Sequence, residues 1–415
     1  MGTDAVLAVA GSILLLVTAP LPAAGADDVA QQIQRLRHED EEVREDAARD
    51  LERMGPAAAG AADALVLSLR DPHPGTRAAA ASALGKVGVV DGKVLPSLER
   101  ALQDRDVKVR LSAAVSLDAL GAGSEKAVSV VVGALQSKDH RIAAAEAVLP
   151  FRERAKAGVP WLVGMLDDKS SHVQSVAIEA LAAIGPPSSP ALPGLLRLAG
   201  PEFPRLRTDA AKALCALGPK HAERVLPGIE KVMKEVDAIH RLGIAEALGR
   251  LGPAALPLIH RQRSGGDPVI AMAATKSIGL MGEEGIPVLL GIVESEDLLC
   301  GAVAADTLRG MKVEPGRLIT EYRRMMLASR GVRSMQIAVQ IGRLGPAGVE
   351  ALSSLALEGG EESRIHAIHA LGELKSEAAA ALPSLRRILA EEDASSILHG
   401  AARKACAEIE AGHGK

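Results

Sequence analysis

The chain has 415 residues, 48% of them apolar, but only four aromatic side chains: Phe151, Trp161, Phe203 and Tyr322. An interior made of Ala, Leu, Val and Ile favours helix, because Ala and Leu lose little on entering one, and it excludes a strand-rich fold. The 48 basic and 52 acidic residues leave a formal charge of −4, which provides no global field to draw in nucleic acid or an anionic membrane.

Ala5 to Val17 is apolar apart from Gly11 and Ser12, and Pro20 and Pro22 end the run. Ala24-Gly25-Ala26 ahead of Asp27 then matches a small-x-small cleavage site. Residues 1–26 read as a secretory signal peptide. The run is shorter than the ~20 residues a helix needs to cross a bilayer, so no stable membrane span is expected. The reading places the protein in the periplasm or outside the cell. The presence of Asp4 and the absence of any Lys or Arg in this stretch would suit a cytoplasmic protein instead. Cys215, Cys300 and Cys406 are far apart and form no Cys-x-x-Cys pair, so neither a disulfide framework nor a thiolate-metal site is expected.

From Leu51 onward a segment close to Ala-Ala-x-Ala-Leu-x-x-Leu-Gly returns, with clear copies ending at Gly88, Gly121, Gly185, Gly218, Gly252, Gly282 and Gly345. The intervals are 30 to 34 residues or about twice that, a period that marks a stacked-repeat solenoid. In the unit from Val94 to Gly121, Val94 to Leu98 opens a helix A, Asp104 to Asp106 turns, and Val107 to Leu120 forms a helix B. The terminal Gly is suited to a left-handed C-cap, and the Pro that follows Gly55, Gly185, Gly218, Gly252 and Gly345 prevents continuation. Copies ending near Arg152, Met311 and Lys375 lack this stop. A second proline marks helix A at Pro96, Pro160, Pro193, Pro227, Pro257, Pro287 and Pro383, either in the first turn or at a kink.

Leu-Pro-x-Leu in helix A, an Asp turn, Val-Arg opening helix B and the Ala-Ala-x-Ala-Leu-Gly close together resemble HEAT repeats, nearest the phycobilisome-lyase-type HEAT-like subclass. Val43-Arg44, Val109-Arg110 and Val332-Arg333 match the Val-Arg step, with Arg77, Arg141, Arg207, Arg241 and Arg364 close to it. The resemblance implies an all-α fold, a right-handed α-solenoid of about twelve HEAT-like helix pairs over residues 27–411, with 412–415 as a frayed tail. It also implies that turn Asp and helix-B Arg form a ladder between repeats, and that helix B lines the concave face. The lyase subclass further implies a bilin lyase-like enzyme or enzyme partner with a tetrapyrrole pocket. The scarcity of aromatics to sandwich a flat ring argues against that.

One helix-B position projects from the core in each copy, giving a ridge of Arg49, Ser82, Ser116, Glu146, Glu179, Lys212, Glu246, Lys276, Asp306, Val339, His369 and Lys404. Its signs are mixed and it lacks the clustered cations and stacking aromatics of a nucleic-acid groove. Glu362, His366 and His369 share a helix face, but one helix does not close a metal site without a further ligand from a neighbour, so they read as solvated side chains. His38-Glu39 is the only His-Glu dipeptide, which excludes the HEAT-repeat hydroxylases that use several. No phosphate loop or nucleophile motif is present.

The local departure lies at Phe151, Trp161 and Phe203, beside the proline-rich loops 186–190 and 200–204. Trp161 falls in a column that elsewhere holds Ser97, Gly194, Gly228, Leu258, Val288 and Ser384. It either anchors a partner or fills the irregularity around Pro150. The expected function is a non-enzymatic scaffold that uses no metal or cofactor and binds a protein or peptide along the concave face. The candidate contacts are Trp161, Phe151, Phe203, Glu146, Glu179, Lys212, Glu246 and Lys276, and the oligomeric state is left open. If residues 1–26 are a cleaved leader, N-terminal sequencing of the protein recovered from its native host will begin near Asp27; a mature chain that retains Ala5 to Val17 would overturn that reading.

Overall fold

The computed structural model describes residues 26–412; the signal-peptide reading of residues 1–26 and most of the 412–415 tail therefore lie outside the described residues. Among these, 24 α-helices alternate with short 3-10 turns and there is no strand. They form twelve A–B pairs, the number expected from the repeats, in two units divided after Leu195.

The first unit holds α1 (Ala26–Arg35) with α2 (Glu41–Met54), α3 (Ala62–Ser68) with α4 (Pro74–Val87), and α5 (Val94–Ala101) with α6 (Val107–Ala119). It continues with α7 (Glu125–Ala134) and α8 (Arg141–Val148), then α9 (Val159–Met165) and α10 (Ser171–Ile184). The division falls inside α11 (Leu192–Leu198). The second unit then runs through α12 (Arg207–Ala216), α13 (Ala222–Glu235) and α14 (Ala238–Ala245), α15 (Leu256–Arg263) and α16 (Pro268–Ser277), and α17 (Ile286–Glu294) and α18 (Leu298–Gly310). It ends with α19 (Pro315–Ala328) and α20 (Gly331–Gly342), α21 (Pro346–Glu358) and α22 (Glu361–Glu373), and α23 (Leu382–Glu391) and α24 (Ile397–Ala411). Each unit is a helix-pair stack of the α-solenoid kind.

Within each unit, successive B helices pack on one another and on their own A helices. Their contact residues are the small ones of the repeat: Ala47, Ala48 and Leu51 in α2, Ala113, Ala114 and Leu117 in α6, and Ala304, Ala305 and Leu308 in α18 are all buried. Adjacent alanines with a leucine one turn later put a narrow apolar strip on the helix, and the missing side-chain volume lets backbones approach. Gly249, just beyond α14, carries this to its limit, because a Cβ there would lie 1.7 Å from the carbonyl oxygen of Ser277 in the next repeat.

Helix B stops as the repeat predicts. Gly55, Gly88, Gly121, Gly185, Gly218, Gly252, Gly282 and Gly345 all have positive φ. The copies without that glycine keep the geometry: Arg152, Lys312 and Lys375 take φ of 49°, 56° and 50°. Arg152, at φ 49° and ψ −132°, nearly superposes on Gly55 at 56° and −133°, a region where a Cβ is strained. Of the helix-A prolines, Pro160, Pro193, Pro257, Pro287 and Pro383 stand second in their helices, where no intrahelical hydrogen bond is lost. Pro96 is third in α5 and Pro227 is sixth in α13.

The arginine ladder is present in both units, with aspartate as the acid in the first and glutamate in the second. Arg44 Nε and Nη2 donate to the two carboxylate oxygens of Asp71 at 2.7 and 3.0 Å, while Nη1 donates to the carbonyls of His38 and Glu39. Arg77 repeats this on Asp104 at 2.8 and 2.9 Å, with Nη1 on the carbonyls of Asp71 and Pro72. Arg141–Asp168, Arg207–Glu235 and Arg364–Glu392 supply further rungs. Arg44 and Arg77 thus each tie their own A–B turn to the turn of the next repeat. The aspartates also shape those turns: Asp71 accepts from the backbone N–H of His73, Asp104 from that of Asp106 and Asp168 from that of Ser170, each at 2.8 Å.

Burial pushes the Asp71 and Asp104 carboxyls up, but the hydrogen bonds from Arg44 or Arg77 and from the turn N–H outweigh it and hold both below the usual carboxylate range. A carboxyl lowered in the fold stabilises it above the unfolded value, about 4, and that contribution is lost as pH falls through the folded value. The thermal midpoint is expected to stay level from about pH 7 to 5 and to fall below about pH 4. Arg77 is 6% exposed and Asp104 15%, so Arg77→Met, which strands the carboxylate, is expected to cost about 3 kcal/mol at neutral pH and to flatten the acid limb. Arg152→Gly acts in the opposite direction by relieving the strained φ, and should raise stability by about 1 kcal/mol, seen as a higher urea midpoint.

Candidate interaction surface

In the first unit α4 turns small residues outward between two B helices that carry longer ones, and this creates a trough. Along α4 the half-buried line of Gly75, Ala78 and Ser82 is flanked by Glu45, Arg49 and Glu52 of α2 and by Lys108 and Ser112 of α6. Low side chains between two higher rows leave a groove of about 500 Å³. Its walls are organised. Glu45 pairs with Arg49, and Ser82 Oγ donates to Glu52 at 2.6 Å. At the mouth, His73 lies 3.5 Å from Glu45 and 3.8 Å from Glu41. Gly75 lies against the tip of Glu45 there: a Cβ would fall 1.9 Å from the carboxylate and would push that flexible side chain aside. Asp106 caps α6 through the Lys108 and Val109 N–H groups, leaving the exposed Lys108 ammonium over the far wall.

The residues singled out from the sequence do not converge. Phe151 is 1% exposed and sits in the core with Arg154 5.5 Å over its ring, so its assignment as a surface contact is corrected: the degenerate repeat around Pro150 uses it as packing. Phe203 is half-buried with Arg197 5.5 Å from its ring. Trp161 is 46% exposed on α9, in the helix-A layer rather than on the B face. Glu146 and Glu179 are exposed on α8 and α10, and Glu246 and Lys276 lie exposed in or just after α14 and α16. Lys212 is half-buried: it pairs with Asp209 at 3.3 Å and its stem lies across Gly243 of the next B helix. Ser116, placed on the outward ridge by its spacing, is buried, and its hydroxyl donates to the Ala81 carbonyl between α4 and α6.

Of the groups considered for chemistry, Glu362 is held by a backbone N–H, while Nδ1 of His366 is buried without a hydrogen-bond partner. Glu362 accepts from the Gly331 N–H at 2.6 Å, which ties it to the start of α20, and burial lowers the pKa of the half-buried His366. No group of three or more His, Cys, Asp or Glu among the described residues could hold a metal ion. All three cysteines are buried thiols, and burial pushes Cys215 up to about 12. No single helix among the described residues is long and apolar enough to cross a membrane.

A family model for HEAT repeats matches residues 29–118 and 134–215. These two stretches are HEAT repeats. No curated protein matches the chain. Among solved structures, the karyopherin Kap121p bound to the extreme C-terminus of the protein phosphatase Cdc14p is 14% identical with a TM-score of 0.51. The match covers 92% of this chain and 52% of the karyopherin, so the chain spans about half that protein's length. An engineered protein is 20% identical over 92% of this chain and 99% of its own, with a TM-score of 0.38. The CpcE–CpcF complex of phycocyanin lyase from Nostoc sp. PCC7120 is 25% identical over 61% of this chain and 93% of its own, with a TM-score of 0.35. The karyopherin likeness is one of fold.

Proposed function

We propose that this protein is a non-enzymatic scaffold, exported by its N-terminal segment, that holds an extended peptide of a partner protein in the trough along α4. The observation that carries the reading is the floor of Gly75, Ala78 and Ser82 between two charged rows. Drug-sized ligand sites are enclosed and mainly apolar, whereas this trough is open and lined by Glu45, Arg49, Glu52, Asp106 and Lys108. Hydrogen-bonding walls of both signs suit a peptide, whose backbone carries donors and acceptors at every residue. The distance along α4 from Pro74 to Ser82 is about 12 Å at the helical rise, enough for roughly four extended residues. Low side chains on the floor let a backbone approach, and the rows of α2 and α6 select the side chains that flank it.

Filling the floor tests this directly. Peptides selected from a random library on the wild-type protein are expected to lose at least about tenfold in affinity to Ser82→Trp and to Ala78→Trp, a loss of about 1.4 kcal/mol or more. Trp161→Ala should leave them unchanged. Binding measured by fluorescence anisotropy that is insensitive to both tryptophans would overturn the assignment of the trough.

A further inference from the structure

One arginine of the ladder has lost its acid from the sequence. Arg110 in α6 is held as Arg44 and Arg77 are in α2 and α4: its Nη1 donates to the carbonyls of Asp104 and Arg105 in its own A–B turn, at 2.7 and 3.1 Å. In Arg44 and Arg77 this contact aims Nε–H and Nη2–H at the two carboxylate oxygens of Asp71 and Asp104, 27 residues on. Arg141 reaches Asp168 over the same interval of 27. The residue at that interval from Arg110 is Ser137, and the Nε–H and Nη2–H of Arg110 have no acceptor among the described residues. The turn adds donors. Asp71, Asp104 and Asp168 each accept from the N–H two residues on, in His73, Asp106 and Ser170. At the corresponding point the Asp139 N–H has no acceptor among the described residues, and the Ser137 hydroxyl makes no hydrogen bond to them.

At the neighbouring rungs the two sets of donors meet on one atom: Oδ1 of Asp71 accepts from both Arg44 and the His73 N–H, and Oδ1 of Asp104 from both Arg77 and the Asp106 N–H. The fork of Arg110, the Asp139 N–H and the Ser137 hydroxyl therefore belong to one anion-sized place, to which the chain itself brings no anion. The carboxylates nearby are engaged or turned to solvent. Asp104 is held by Arg77, Asp106 by the Lys108 and Val109 N–H groups and Asp168 by Arg141, while Asp139 is exposed. A guanidinium already fixed by its third nitrogen offers two parallel N–H groups without further ordering, the arrangement that recognises carboxylate and phosphate. We propose that this place binds a phosphate group, free or as a monoester. Serine is shorter than aspartate by its carboxylate, and a tetrahedral anion has oxygens for the fork, the turn N–H and the hydroxyl together. Bound there, it takes the part of the missing acid and joins the turn of Asp104 to Asp106 with that of Ser137 to His140.

Thermal unfolding of the full chain in inorganic phosphate, with chloride holding the ionic strength constant, tests this. Phosphate stabilises proteins in general by exclusion from their surfaces, so the quantity read is the difference between wild type and variants. The wild-type midpoint is expected to rise at least about 2 °C more than that of Arg110→Gln at about 50 mM phosphate. Ser137→Asp returns an acid to Arg110 from within the chain, so it should raise the midpoint in chloride and abolish the extra phosphate response. In phosphorus NMR the resonance of inorganic phosphate should broaden with wild-type protein and stay sharp with either variant. Glycerol 3-phosphate separates the two sources: an equal response assigns the place to the phosphate group of a larger molecule, and a response to inorganic phosphate alone assigns it to the free ion. A wild-type midpoint that follows phosphate no more steeply than that of Arg110→Gln, or a Ser137→Asp protein that keeps the full response and broadening, would overturn the proposal.

Discussion

A pair of helices joined by a short turn has apolar surface on its flanks and no interior of its own, so each repeat of this chain is stable only against the next. That requirement accounts for the composition. Alanine pairs such as Ala47-Ala48 and Ala113-Ala114 face neighbouring B helices, where a larger residue would hold the backbones apart, and leucines such as Leu51 and Leu117 fill what remains. It also explains why four aromatics suffice for 415 residues. Large rings serve a core closed from several sides, and a helix stack offers only narrow seams. The Arg–Asp rungs are a second, polar seam that fixes how one turn sits on the next, while burial of Ala and Leu supplies most of the cohesion.

Legibility divides along the same line. The period, the glycine stops, the first-turn prolines and the arginine of the ladder were readable because stacking imposes them in copy after copy, whereas the acid changes from aspartate in the first unit to Glu235 and Glu392 in the second. The pattern also survives where its signature residue is gone. Arg152, Lys312 and Lys375 adopt the glycine-like turn, so packing holds the geometry after the local preference has been lost. What spacing alone misplaced were positions governed by one particular contact. Ser116 occupies an outward register, but the neighbouring Gly85, whose Cβ would lie 2.5 Å from the serine oxygen, opens a slot that swallows it. Phe151 looked like a surface anchor by rarity, whereas a degenerate repeat with no glycine stop needs a bulky side chain to fill its seam.

The surface features have signals in the sequence that a single outward column did not capture. The trough along α4 is a property of three adjacent helices, two with long side chains and one without, and it emerges only when Gly75, Ala78 and Ser82 are compared with their neighbours on α2 and α6. The exposed Ile239, Val269, Leu299 and Val332 each stand two residues after a helix-B cap and become visible only when that position is compared across repeats, since it is buried at Thr208 and Leu398 and polar at Glu42 and Lys108. Both features occupy positions that the fold leaves unassigned. In a stack whose fixed residues are consumed by adjacency, such positions are where one repeat protein becomes distinct from another.

The ladder of the first unit has a gap, and it coincides with its loosest seam. Arg110 donates to the carbonyls of Asp104 and Arg105, but the place of the acid in the next turn is taken by Ser137. There α6 and α8 touch over much less of their length than α2 and α4 or α4 and α6 do. In a linear array, stability is passed along through neighbour couplings, so one thin coupling divides the array into blocks that can open separately. The three repeats that form the trough lie wholly on one side of that seam. The peptide-sized surface is thus carried by a block that is only thinly coupled to the repeats beyond it.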